Sequence, residues 1–256
     1  MGYGVDGRAT GFGEIARAYD RARPGYPAAL FDRIESELLA LAGARVLEVG
    51  SGTGIATAEL LRRGAVVAAV EPDPRMAAVL RGKVSLAQVY DLRFEQLLLP
   101  RSSFDLVVAA QSWHWVRQRD GLRKVSLLLR EGGFFVAFWN LGSVCDTRLS
   151  ASILEAFSRI KREIPVLLRP RDLRKRIGSI ERSLALASEL LPARRFEFTE
   201  VVNYSREAFI DLLGTMSDVL ALAPGLRPGV LAEIGSAAPV EVAVEYRTVM
   251  LCAARG

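Results

Sequence analysis

The stretch Arg45-Val-Leu-Glu-Val-Gly-Ser-Gly-Thr-Gly-Ile-Ala56 decides how this chain is read, because an aliphatic run passes straight into three glycines and then into helical spacing. Val46 to Val49 suit a parallel strand buried on both faces, and the apolar positions from Ile55 to Leu61 suit a helix packed on it. Gly50 and Gly52 let backbone turn sharply and approach a ligand closely, while Gly54 lets the helix begin near the strand. The stretch reads as a nucleotide-type cofactor loop.

The spacing of the glycines separates two cofactor classes. In the dinucleotide fingerprint GxGxxG the third glycine would fall on Ile55, where a pyrophosphate requires a small residue. The pattern present is ExGxGxG, with Glu48 inside the end of the strand. A second acid stands in register: Ala65 to Val70 form another buried strand, and Glu71 closes it about 20 residues beyond the loop, the offset of a carboxylate that takes ribose hydroxyls. Pro72 cannot extend that strand, Asp73 can act as a helix cap, and Pro74 at a first helical position starts a helix over Arg75 to Arg81.

The third landmark is Ser103-Phe-Asp-Leu-Val-Val-Ala-Ala-Gln-Ser-Trp-His-Trp-Val116, a strand followed by a turn and an aromatic-rich helix start. Ligands of open α/β sheets gather at the carboxyl ends of strands, which places Gln111 to Trp115 beside a reaction site. Trp113 and Trp115 read either as walls of that site or as packing aromatics. His114 is the single histidine of 256 residues, and its ordinary pKa lies near neutrality. Two roles are open to it, a catalytic or substrate-contacting one and that of a satisfied pocket histidine.

Together these motifs resemble a known family. Phe12-Gly-Glu-Ile-Ala-Arg-Ala-Tyr19, Arg23-Pro-Gly-Tyr-Pro27, the glycine loop, Glu71-Pro-Asp, Phe104-Asp-Leu-Val, Gln111-Ser-Trp-His-Trp and Phe138-Trp-Asn140 are similar to the type 11 group of class I S-adenosylmethionine (SAM) methyltransferases. The layout is similar to that of trans-aconitate methyltransferase. The resemblance implies a Rossmann-like α/β fold and SAM as cofactor. It also implies roles: Glu48, Gly50 and Gly52 at the methionine end, Glu71 with Pro72 at the ribose, the Gln111 backbone at the methionine ammonium, and Tyr19 and Arg23 on a segment folded over the cofactor. For adenine the candidates are Asp91, Arg93 and Phe94. Methyl transfer needs the acceptor positioned, water excluded and, for a hydroxyl or acidic carbon, a proton removed. His114 is the first choice for that base. With a carboxylate acceptor it would bind or orient instead. Trp113, Trp115 and Trp139, with Tyr19, are the expected walls for sulfonium or substrate.

The composition fits one large domain with or without a lid, since half of the residues are hydrophobic and the length supports a sizeable core. Cys145 and Cys252 provide neither a disulfide framework nor metal-ligand spacing, and one histidine excludes a His-rich zinc site, so no metal is expected. Residues 1–13 are glycine-rich without an apolar core and are expected to be flexible, not a signal peptide. The longest near-apolar stretch, Gly133 to Cys145, is too short to span a bilayer, and the expected address is cytoplasmic. The net charge of +5 is carried almost wholly by arginine. Nine basic residues lie between Arg159 and Arg182 against Glu163, Asp172 and Glu181. Such a block reads as a solvated helical face, or as a field that steers an anionic acceptor or RNA.

Periodicity orders the rest. Residues 14–42 read as helices with Leu30, Ile34, Leu38 and Leu41 on one face, and strands are expected near 45–49, 66–70, 86–90, 104–110 and 133–139. Arg194 to Asn203 and Val240 to Val249 alternate with period two and supply the last two strands, with helices from Arg206 and Arg227 between them. The expected fold is a mostly parallel seven-stranded sheet, its last strand antiparallel by the resemblance. Residues 14–145 form the cofactor core with its N-terminal helices, 146–192 a helical cap and 193–256 the completion of the sheet. A small-molecule methyltransferase acting at oxygen or carbon is the leading reading. The alternatives are an RNA or protein methyltransferase using residues 159–182, and a SAM-binding protein without turnover. The absence of Asn-Pro-Pro-Tyr or Asp-Pro-Pro-Tyr after the fourth strand, where Gln111-Ser-Trp-His stands, argues against the common amino-methylating nucleic-acid enzymes. Acceptor identity and oligomeric state are not legible.

Overall fold

Aliphatic runs that would be insoluble as isolated strands pair side by side here and are covered by helices on both faces. The computed structural model describes residues 13–160 and 170–256, with backbone alone at 170–173. Four parallel strands come first: β1 (Arg45–Val49), β2 (Val66–Val70), β3 (Gln88–Tyr90) and β4 (Phe104–Ala110). β5 (Leu129–Val144) adds in parallel to β4, with a bulge between Phe104 and Leu106. β7 (Glu241–Ala254) then inserts antiparallel between β5 and β6 (Arg194–Ser205), giving the order β3-β2-β1-β4-β5-β7-β6. This is the Rossmann-like sheet expected, with the last strand reversed.

Alternation along the central strands sorts side chains into two cores. Val46, Val67, Leu106, Val108, Val136 and Phe138 meet Leu30, Phe31 and Ile34 of α2 (Ala28–Glu37) and Leu60 of α3 (Ile55–Arg62). Leu47, Val107, Ala109, Phe135 and Trp139 face the other way, onto Leu122 and Val125 of α5 (Gln118–Leu128). α4 (Pro74–Lys83) follows β2, capped by the Asp73 side chain, which accepts from Arg75 N–H.

β5 and β7 are much longer than the parallel strands they join, and their extension carries a third core. There Val144, Val242, Val244 and Tyr246 pack with α6 (Thr147–Arg159), α8 (Arg206–Gly214), α9 (Ser217–Leu220) and α10 (Arg227–Ala237). The segment expected as one helical cap therefore divides. α6 joins this third core, whereas α7 (Pro170–Ala185) sends Ile177, Ile180 and Leu184 into the core beneath α5. Both helices are amphipathic, and periodicity cannot say which surface an apolar stripe will meet. α1 (Ala16–Ala22) spans the two regions: Asp20 pairs with Lys83 on α4 at 2.8 Å, and Arg23, just beyond the helix, reaches Thr215 after α8. The flexible segment expected at 1–13 lies outside the described residues except for Gly13.

Candidate active site

The glycine loop bends as the sequence requires. Gly50, Gly52 and Gly54 have φ of 69°, 58° and 83°, a region that costs a side-chain-bearing residue roughly 1–2 kcal/mol. Gly50 is constrained further, because a Cβ there would sit 2.5 Å from the Ser112 Cβ. The Ser112 hydroxyl in turn donates to the Val49 carbonyl, tying the end of β4 to the loop. The amide hydrogens of the loop point inward: Gly50 and Ser51 donate to the Val70 carbonyl, Gly52 to Glu71 and Gly54 to the Ser51 carbonyl. A pyrophosphate cradle needs such donors free. This loop is shaped for a ligand without one.

Glu71 is the hinge of that arrangement. Its buried carboxylate accepts from Gly52 N–H at 2.8 Å through one oxygen and from Asp73 N–H at 2.9 Å through the other. Each oxygen keeps a lone pair, so the group can still accept two hydroxyls. Glu48 lies fully buried in β1 and accepts from the Thr57 hydroxyl on α3. Burial raises both carboxyls to about 7, opposed by these hydrogen bonds, and Glu71's charge adds to the rise at Glu48. Neither has a cation paired with it among the described residues. Two buried carboxyls without a counter-ion suit a positively charged ligand with vicinal hydroxyls.

The end of β4 supplies the opposite wall. Gln111 holds φ of 57°, uncommon for a residue with a side chain and a frequent mark of functional positions. Its N–H donates to the Phe138 carbonyl and its amide to the Asn140 carbonyl. Asn140, nearly buried on β5, donates to the Gly25 carbonyl at 2.9 Å and accepts from the Thr248 hydroxyl at 2.7 Å. It knits the Arg23-to-Pro27 segment to the sheet. The sequence presented Asn140 in Phe138-Trp-Asn140 without assigning it a role, because its partners are distant along the chain. Tyr26, whose ring meets Phe138 edge-on at 4.7 Å, was likewise missed; burial holds its hydroxyl well above its usual pKa.

The predicted aromatic positions divide. Trp113 is fully buried between Phe94 and Phe135 and faces no cleft. Phe94, a candidate for adenine, is buried with it beneath Lys124. Trp139 is fully buried as well, and its indole N–H donates to His114 Nδ1 at 3.2 Å. Trp115 is half-buried and tilted against the His114 ring. Among these, His114 and Trp115 reach the surface at the end of β4. Burial, with the Arg176 guanidinium, lowers the His114 pKa to about 3. Nδ1 is engaged by the Trp139 N–H, and burial disfavours the charged form of the ring, so both roles considered for His114, base and acceptor contact, start from a neutral imidazole.

The N-terminal pair is anchored to the far side of the molecule. Arg23 lies over the Tyr19 ring and directs its guanidinium to the Thr215 hydroxyl at 3.0 Å and carbonyl at 2.8 Å. It secures the segment; Tyr19 stays half-buried beside it. Pro72 is half-exposed next to Glu71. Asp91 pairs with Arg81 across the end of β3, at 3.0 Å through one oxygen. Of the basic block, Arg159 pairs with Glu155 and Glu233, while residues 161–169 and the side chains of 170–173, Arg171 among them, lie outside the described residues. Among the described residues no cluster of His, Cys, Asp and Glu could hold a metal, and no helix is long and apolar enough to cross a membrane.

Residues 47–137 match the family described as a methyltransferase domain, type 11. Uncharacterized methyltransferases of Mycobacterium bovis and Mycobacterium tuberculosis are 40% identical over 129 residues, which cover 50% of this chain and 51% of theirs. The chain thus spans about half the length of the curated relatives it matches. Among solved structures, "The Structure of a Putative Type II Methyltransferase from Anaeromyxobacter dehalogenans" covers 90% of this chain and 97% of its own, at 24% identity and a TM-score of 0.65. The likeness is one of fold.

Proposed function

With a class I methyltransferase domain in residues 47–137, we propose that the chain moves the sulfonium methyl of SAM to an oxygen or carbon of a small-molecule acceptor. The observation that carries this reading is the glycine loop with its amides turned inward onto Val70 and Glu71, beside two buried carboxyls that lack a cation. Glu71 is placed to take the ribose hydroxyls, Glu48 lies beneath the methionine end, and the Gly50, Gly52 and Gln111 backbones line it. In this reading Tyr19 and Pro72 would flank the same ligand.

The cofactor, when bound, supplies a methyl group that is already strongly electrophilic. The protein's own residues then have to position and desolvate. Asn140 and Thr248 hold the Arg23-to-Pro27 segment against β5. Trp139 fixes the His114 ring, which with Trp115 faces the acceptor side.

Calorimetric titration with S-adenosylhomocysteine and NADH tests the cofactor class. S-adenosylhomocysteine should bind and NADH should be much weaker; tight NADH binding with no heat from S-adenosylhomocysteine would overturn the reading. Incubating a metabolite mixture with methyl-labelled SAM, followed by mass spectrometry, should show label in a low-mass product.

A further inference from the structure

A cleft of about 510 Å³ lies at the opposite end of the sheet from the glycine loop, where β4 and β5 begin. Three successive leucines, Leu97 to Leu99, line it with Pro100, Leu127 and Leu128, and its polar members are Arg101 and Lys124. No carboxylate lines it. Apolar walls with a few polar groups, at this size, are the make-up of small-molecule sites. Leu97 is buried, whereas Leu98 stands 91% exposed. The two walls are pinned together, since the N–H groups of Ser102 and Ser103 donate to the Leu127 and Leu128 carbonyls at 3.0 and 2.9 Å. Those bonds occupy the last carbonyls of α5, whose partial negative charge would otherwise repel an anion. Arg255 continues the closure by donating to the Ser102 hydroxyl at 3.1 Å and to the Leu129 carbonyl.

Charge in the cleft is one-sided. Lys124 Nζ donates to the Phe94 and Glu95 carbonyls at 2.7 and 2.9 Å, which leaves it one N–H and its charge. Burial lowers the pKa of this lysine, with the Glu95 charge opposing, and no carboxylate pairs with it among the described residues. Arg101 is exposed and its side chain enters no ion pair or hydrogen bond found among the described residues. We propose that this cleft binds a small amphipathic carboxylate, its aliphatic tail along Leu98, Leu99 and Leu127 and its head between Arg101 and Lys124. A neutral tail would leave both cations unpaired, and an inorganic anion would leave the leucines in water; a ligand with both parts satisfies the whole lining. The one N–H left on Lys124 and the planar fork of Arg101 match the two oxygens of a carboxylate. The site lies at the wrong end of the sheet for an acceptor, and it does not rest on the methyltransferase reading.

Calorimetric titration of the full chain with octanoate, with and without S-adenosylhomocysteine, tests it. Octanoate should bind saturably, one per chain, and alike in both conditions. Butanoate, four methylenes shorter, and 1-octanol, which lacks the charge, should each bind about ten-fold or more weakly. Arg101→Gln should weaken octanoate about ten-fold, the loss of one charge-assisted hydrogen bond. Leu98→Asp, which sets a carboxylate beside the cations, should weaken it about as much or more, whereas Leu86→Asp, at a leucine 82% exposed outside the cleft, should change nothing. Leu86, Leu98 and Arg101 are all exposed, so the variants should keep the parent's fold. Octanoate binding that S-adenosylhomocysteine blocks, or that neither Arg101→Gln nor Leu98→Asp moves, overturns the proposal by placing the ligand elsewhere. Tighter binding of 1-octanol or of octyl phosphate than of octanoate overturns the assignment of a carboxylate. A dimer in sedimentation that Leu98→Asp dissociates gives the cleft to a second copy of the chain, and overturns it too.

Discussion

Where β1 and β2 end, polar contacts join residues close in sequence: Thr57 to Glu48, Gly52 to Glu71 and Asp73 to Glu71 are separated by 9, 19 and 2 positions. On the β5–β7–β6 ribbon the contacts reach much farther. Asn140 to Thr248 spans 108 positions, Asn140 to Gly25 spans 115 and Arg23 to Thr215 spans 192. The two regions also differ in how well they are compensated. The loop end buries two carboxyls without a cation, a cost that a cationic ligand offsets, whereas the ribbon's buried amide and hydroxyl satisfy each other. One region is built to be completed by a ligand. The other is complete.

That contrast can be broken most sharply at the glycines. Gly50→Ala combines positive φ with overlap onto Ser112, and should cost about 3 kcal/mol or more in thermal or urea unfolding. S-adenosylhomocysteine binding should be lost with it. Gly25→Ala, where nothing lies within 4 Å, should fall within about 0.5 kcal/mol of the parent. Equal effects at the two positions would mean that the loop is not the constrained region.

Next in size, the buried carboxyls should make the stability of the unliganded protein depend on pH. A folded-state pKa of about 7 against an ordinary value of 4.5 means that the unfolded chain releases its proton first, so stability falls as pH rises from about 4.5 to 7. For one such group the fall is at most about 3 kcal/mol. Glu48→Gln should flatten the profile over that window, as followed by urea unfolding at a series of pH values. An identical profile in parent and variant would show that Glu48 ionises freely.

The third comparison weighs ligand against fold. Glu71→Ala should weaken S-adenosylhomocysteine by roughly 1.5–3 kcal/mol, through loss of charge-assisted hydrogen bonds, and an unchanged affinity would move the ribose site elsewhere. On the ribbon side, a double-mutant cycle of Asn140→Ala with Thr248→Val should give a coupling near 1 kcal/mol in stability. Additive single effects would remove that pair from the account of why the ribbon holds together.

The same division explains what was legible in the sequence. β1, β2 and β4 fall where the aliphatic runs place them, since strands buried on both faces announce themselves locally. The glycine spacing and Glu71 were readable for the same reason. β5 runs to Val144, beyond the expected 139, and β7 to Ala254, beyond 249, because each is extended by its partner and not by its own pattern. Trp113, Phe94 and Trp139 carried no mark to distinguish a core aromatic from a pocket wall; the neighbours that bury them come from α5, α7 and β5. The bond from Arg23 to Thr215 was not legible, because Thr215 belongs to a segment the sequence could not bring near.

The sixteen-residue β5 belongs to all three cores, and its ladder with β7 runs from Phe134–Ala254 to Val144–Val244 without a register shift. Such a strand works as a beam. The helices of the ribbon cannot swing away from the cofactor loop as a hinged body without breaking backbone hydrogen bonds along its length. Any change in what that third core presents has therefore to be made in the side chains and loops of α6 and α8 to α10, bolted to a frame whose geometry stays fixed. Exchange of those helical segments between related chains is, by the same reasoning, the modular cut: it changes what the extended end of the beam carries and leaves the pairing of β5 with β4 undisturbed.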